Sequence, residues 1–170
     1  SFICEEAGAY YNRAFLITPD GQDFYYDKRH LFRMGCETEH FSAGNRRVIV
    51  PYRGWNICLQ VCYDLRFPVW SRNINNEYDL LIYIANWPTL LCARAIENQC
   101  YVCGVNRTGR DGNGLHYPGY SALYSPKGEI LTGTPDSEEK IQTIELDIET
   151  LTAFRHKFPS WKDADSFLLY

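Results

Sequence analysis

The chain predicts a mixed α/β domain, and three observations carry that expectation. Apolar residues alternate along Trp55, Ile57, Leu59 and Val61, which is the period of a strand. The segment from Asp79 to Ala85 is apolar after its first residue, as in a strand buried on both faces, and such strands need helices to cover them. Turn signals elsewhere place short antiparallel hairpins beside these covered strands.

Ser1 to Cys4 reads as the inside of a strand, so the chain is expected to be a piece of a longer protein. Arg13 to Ile17 is an apolar strand that turns at Thr18-Pro19-Asp20-Gly21 and returns as Asp23 to Lys28. Lys28 then stands at a strand end, and Arg29 to Gly44 follows as a polar, glycine-punctuated loop of the kind that carries functional groups. A second hairpin joins Arg47–Val50 to Trp55–Cys62 through Pro51-Tyr52-Arg53-Gly54.

Phe67 to Asn73 is expected as a short helix and Asp79 to Ala85 as a strand. A helix over about Leu90 to Gln99 turns Leu91, Ala95 and Asn98 toward the core, and Tyr101 to Val105 returns as a strand. Gly109, Gly112 and Gly114 mark a loop before a strand over Tyr120 to Tyr124, which turns through Ser125-Pro126-Lys127-Gly128 into Glu129 to Thr132. Gln142 to Leu146 reads as an edge strand, and Asp147 caps a helix running to Phe154. No repeat or low-complexity linker divides residues 1–170, so one domain is expected.

With 45% hydrophobic and 15% aromatic residues in 170, the chain can bury one good core. A net charge of -4 with scattered basic residues gives no footprint for nucleic acid or a membrane surface, and the longest apolar run is strand-sized. A small-molecule partner is therefore expected. Seven cysteines, an odd number without disulfide-like density, point to free thiols in the cytoplasm.

The chemistry concentrates in Gln60-Val61-Cys62-Tyr63-Asp64-Leu65-Arg66-Phe67-Pro68, where a cysteine ends an apolar strand at a sharp turn. A thiol there is held by a rigid scaffold, with the next backbone N–H free to stabilise a negative oxygen. A lone cysteine is more often a small core hydrophobe, so its surroundings must decide. A free thiol with a pKa of about 8.5 is only slightly ionised at neutral pH and needs a base or a field. Lys28 and Glu37 supply charges of both signs.

Tyr26-Asp27-Lys28-Arg29-His30-Leu31-Phe32, then Glu37 seven residues before Gly44, then the Cys62 segment resemble the carbon–nitrogen hydrolase, or nitrilase, superfamily. Asn86-Trp87-Pro88, Arg94-Ala95-Ile96-Glu97-Asn98 and Val105-Asn106-Arg107 match that family in the same order. The lysine motif and the stretch from His156 to Phe167 are most similar to its omega-amidase-like branch. The resemblance implies an α-β-β-α sandwich, a homodimer or larger homo-oligomer, and hydrolysis of a small linear amide with no metal or cofactor. It makes Cys62 the nucleophile, Lys28 and the Tyr63 backbone N–H the oxyanion donors, and Glu37 the group that positions substrate or orients Lys28. Asn86, Trp87, Arg66 and Glu97 would line or support the pocket.

Two departures accompany the resemblance. The family's general-base glutamate is expected upstream of Ser1, since neither Glu5 nor Glu6 has its context, and relatives carry a longer connection where Pro88 meets Leu90. A segment omitted near 88–90 is therefore expected, although Thr89 could cap the helix directly. Rival expectations are a catalytically silent scaffold on the same fold, a nitrile or carbamoyl hydrolase, and a thiol redox protein using Cys100 and Cys103. The last pair has neither a second pair nor a spaced histidine to complete a zinc site. For His30 a structural hydrogen bond is expected rather than a cysteine–histidine mechanism.

Overall fold

The computed structural model describes residues 1–85, 87–135 and 137–168. Strands β1 (Phe2–Glu6), β2 (Ala9–Ile17) and β3 (Asp23–Asp27) form an antiparallel sheet of three. The β2–β3 turn closes where the Gly21 N–H donates to the Thr18 carbonyl at 2.9 Å, with Gly21 at φ +85°.

A second sheet is built from β4 (Ile49–Tyr52), β5 (Trp55–Val61), β6 (Leu80–Ile84), β7 (Tyr101–Gly104), β10 (Ala122–Tyr124) and β11 (Ile130–Gly133), in the order β11-β10-β7-β6-β5-β4. Its centre, β5-β6-β7, is parallel, while β4, β10 and β11 pair antiparallel at its flanks. Strands β8 (Thr108–Arg110) and β9 (His116–Pro118) make a separate hairpin within the segment expected as a glycine loop. Among the described residues, three α-helices accompany the sheets: the one-turn α1 (Glu37–His40), α2 (Pro88–Asn98) and α3 (Ile148–Lys157).

The period-2 pattern of β5 sorts its residues into two cores. Cys58 packs with Leu81, Tyr83 and the α2 residues Leu91 and Ala95 on one face. Leu59 and Val61 pack with Ala14 and Tyr26 of the small sheet and with Trp70 on the other. Helix, large sheet and small sheet are thus stacked layers, and each fully buried large apolar side chain contributes about 1.5–3 kcal/mol of transfer free energy. The approach of α2 is so close that a Cβ on Gly104 would lie 2.3 Å from Leu91 Cδ1.

Several local expectations are corrected. The second hairpin turns through only Arg53 and Gly54, at φ +50° and +81°, so its first strand lies at 49–52 rather than 47–50. Phe67 to Asn73 is not a helix but a chain of tight turns, because Asn73 bonds through its side chain to the Tyr78 and Asn98 carbonyls. Gln142 to Leu146 is not a strand: Gln142 reaches the Gly133 carbonyl at 2.9 Å with its side-chain amide instead of joining a ladder. Thr89 does not cap α2. Trp87 holds the N-cap position and Pro88 starts the helix, where its missing N–H costs nothing.

Asp147 does cap α3, accepting from the Glu149 N–H at 2.8 Å, and the helix runs past Phe154 to Lys157. From α3, Arg155 donates to Asp79 Oδ1 at 2.7 Å, to the Tyr78 carbonyl at 2.7 Å and to the Gln99 carbonyl at 2.9 Å. Among the described residues, no helix is long and apolar enough to cross a membrane.

Candidate active site

β5 ends at Val61, and the chain breaks into a tight turn over Cys62–Arg66. Cys62 sits at φ +48°, a left-handed conformation that a non-glycine residue adopts only when its surroundings enforce it. The enforcing contacts are visible. The Arg94 guanidinium of α2 donates to the Leu65 carbonyl at 2.7 Å, while the Asp64 carboxylate accepts from the Val61 N–H at 3.1 Å. Glu97 holds Arg94 from 3.0 Å and so acts on the turn at one remove.

Lys28 follows the last residue of β3 and is only 1% exposed. Its ammonium meets Glu37 Oε2 at 2.5 Å. Glu37 opens α1, and the same oxygen accepts the Phe32 N–H at 2.6 Å, while Asn12 Nδ2 stands 3.5 Å from Oε1. The loop carrying Glu37 is pinned back on β3 where the Gly44 N–H donates to the Lys28 carbonyl at 2.9 Å. Glycine is required there, since a Cβ would lie 2.1 Å from the Asp27 carbonyl oxygen.

The half-buried Cys62 thiol feels all of these groups. Burial pushes its pKa up, Lys28 pulls it down, and the carboxylates of Glu37 and Asp64 raise it again, while the Tyr63 N–H directed at the sulfur favours the thiolate. Cys58, four residues earlier, is fully buried, and burial outweighs the pull of Arg47 and Gln60 and pushes it up to about 12. Cys62, Tyr63, Lys28 and Glu37 are therefore brought together. The Arg66 guanidinium lies over the Trp87 ring at 5.2 Å, beyond the turn. Asn86 lies outside the described residues.

Three contributors were not anticipated. Asn12, on β2, contacts Glu37 and has no local motif to mark it. Tyr117, on β9, lies within electrostatic reach of Cys62, donates its hydroxyl to Asp111 Oδ2 at 3.2 Å, and packs under the Arg107 guanidinium at 4.8 Å. Asp64 was visible in the cysteine motif, but only the fold reveals its four donors. His30 makes the structural hydrogen bond expected of it, with Nδ1 at 2.8 Å from Asp64 Oδ1.

Cys100 is buried and Cys103 half-buried, and burial raises both thiols, which is the opposite of what a reactive redox pair needs. Among the described residues, no three His, Cys, Asp or Glu side chains are grouped as a metal site would require.

The sequence model of the carbon-nitrogen hydrolase family matches residues 2–156. The chain belongs to that family. Among characterised carbon-nitrogen hydrolases, it is 54% identical over 168 residues to the omega-amidase YafV of Escherichia coli K12, a match covering 94% of this chain and 65% of the relative. It is 31% identical to the 2-oxoglutaramate amidase of Bacillus subtilis, covering 90% of this chain and 62% of that one. The structure of XC1258 from Xanthomonas campestris, a superfamily member with an arsenic adduct in its active site, superposes with a TM-score of 0.95 at 42% identity. That match covers 99% of this chain and 69% of XC1258. The mixed α/β architecture is thus that of the carbon-nitrogen hydrolases. This chain spans about 65% of the YafV length, so the region compared is a part of that relative.

Proposed function

We propose that this chain belongs to an amidase that hydrolyses the terminal carbon–nitrogen bond of a small linear amide carrying a carboxylate, through a thioester on Cys62. The convergence on one thiol of a left-handed backbone, a directed backbone N–H and a buried ammonium carries this conclusion. The names of the omega-amidase and 2-oxoglutaramate amidase relatives support the substrate class.

In this mechanism Cys62 Sγ, its proton passed to a base, attacks the amide carbon, and the carbonyl electron pair moves onto oxygen. Lys28 Nζ and the Tyr63 N–H donate to that oxyanion, where preorganised donors are worth most. Glu37 holds the Lys28 ammonium in place. When the oxyanion collapses, the carbon–nitrogen bond breaks, and the leaving nitrogen takes a proton and departs as ammonia. Water then attacks the thioester, regenerating the thiol and releasing the acid. The proton acceptor expected of the family, a further glutamate, is not assigned to a residue of this chain.

The seven free cysteines support work in a reducing cytoplasm, and the family resemblance supports a homo-oligomer. The function is tested by assaying ammonia release by the intact protein from glutaramate and succinamate, beside nitrile and carbamoyl analogues of equal length. Release from the amides alone is expected. No release from any of them would leave a scaffold as the better description.

A further inference from the structure

Asp64 is 0% exposed, so its negative charge is stable only if its oxygens are fully hydrogen-bonded. They are, and the donors come from two separate parts of the chain. Oδ1 accepts from the His30 N–H at 2.9 Å and from His30 Nδ1 at 2.8 Å. Oδ2 accepts from the Tyr26 hydroxyl at 2.7 Å and from the Val61 N–H at 3.1 Å. Tyr26 and His30 bracket Lys28, two residues to either side, whereas Val61 and Asp64 lie on either side of Cys62. No backbone hydrogen bond of a shared sheet joins β3 to β5, which belong to different sheets.

The clamp is itself braced. Trp70 Nε1 donates to the Tyr26 hydroxyl at 2.9 Å, the same oxygen accepts the Arg29 N–H at 3.2 Å, and the His30 ring stacks on Phe67 at 3.7 Å with planes 7° apart. His30 is therefore held flat against the turn that carries Cys62.

We propose that Asp64 and His30 form a positioning clamp, fixing the Lys28 arm against the Cys62 turn so that the lysine and the Tyr63 N–H can meet one carbonyl oxygen. Neither residue is placed to touch the reacting atoms. A displacement of about 1 Å in such an arrangement can cost about 10²-fold in rate, which is the scale of loss expected when the clamp opens.

The proposal deepens the amidase reading, and its test has an arm that needs no turnover. His30→Ala removes the ring donor, whereas His30→Asn sets an amide N–H close to the position of Nδ1. In the intact protein we expect His30→Ala to lower kcat about 10²-fold with KM much less affected, and His30→Asn to recover most of the loss. The rate at which chloroacetamide alkylates Cys62, followed on the Cys62 peptide by mass spectrometry, is expected to fall and recover in parallel. In an Asp64→Ala background, which removes the acceptor oxygens, the His30→Ala effect should vanish, because the partner is already gone.

Equal losses in His30→Ala and His30→Asn, an unchanged alkylation rate in His30→Ala, or full additivity with Asp64→Ala would overturn the clamp. If the Asp64 variant fails to fold, the two His30 variants decide alone. Absence of ammonia release by the unaltered protein would instead count against the amidase function and leave the alkylation arm to judge the clamp.

Discussion

Lys28 Nζ and Glu37 Oε2 stand 2.5 Å apart in a setting where the lysine is almost wholly withdrawn from water. A buried ammonium held against a carboxylate loses its freedom, which suits a group that must await a developing negative oxygen.

Replacing Lys28 by methionine keeps the stem and removes the donor. We expect kcat for amide hydrolysis to fall by about 10²–10³-fold, the usual loss for one oxyanion donor, with a smaller change in KM. Steady-state ammonia release at several substrate concentrations separates the two parameters.

Glu37→Gln preserves shape but removes a negative charge that raises the Cys62 pKa. The sign follows directly: without that carboxylate the thiolate is less disfavoured, so the pH profile of Cys62 alkylation should move toward lower pH. Turnover should nevertheless drop, because Lys28 loses its anchor. An alkylation profile moving to higher pH would contradict this electrostatic assignment.

Much of this arrangement was legible in the sequence. The alternation of β5, the continuous apolar β6 and the cysteine at the strand end carry their own signals, since burial on a regular element imposes a period. The same holds for Asp147, whose short carboxylate suits an N-cap. What escaped was decided by long-range side-chain bonds. Asn73 replaces helical backbone bonding with its own amide, Gln142 meets its neighbour by side chain, and Asn12 reaches Glu37 from 25 residues away. Tyr117 depends on a hairpin hidden among glycines.

Stability should decline in alkali. Cys58 titrates near 12 when folded and at about 8.5 when unfolded, so over that interval the folded state binds the proton more tightly. Its contribution is complete below about pH 8.5 and is lost as pH rises toward 12. Urea midpoints should fall between about pH 8.5 and 10, with a shallower fall in Cys58→Ala.

Arg155→Met should destabilise by about 3–5 kcal/mol, because it strands the half of a buried pair held by Asp79 and orphans two carbonyls. Thermal unfolding measures this. A change below about 1 kcal/mol would mean that α3 is held by other contacts.

The most direct test is ammonia release by intact protein carrying Cys62→Ala, with circular dichroism to establish that the fold is kept. Loss of turnover to background in a folded variant is expected, together with an acyl adduct on the Cys62 peptide of the unaltered protein after acid quench. Undiminished ammonia release without Cys62 would contradict the assignment of the nucleophile, and with it the chemistry built around Lys28 and Glu37.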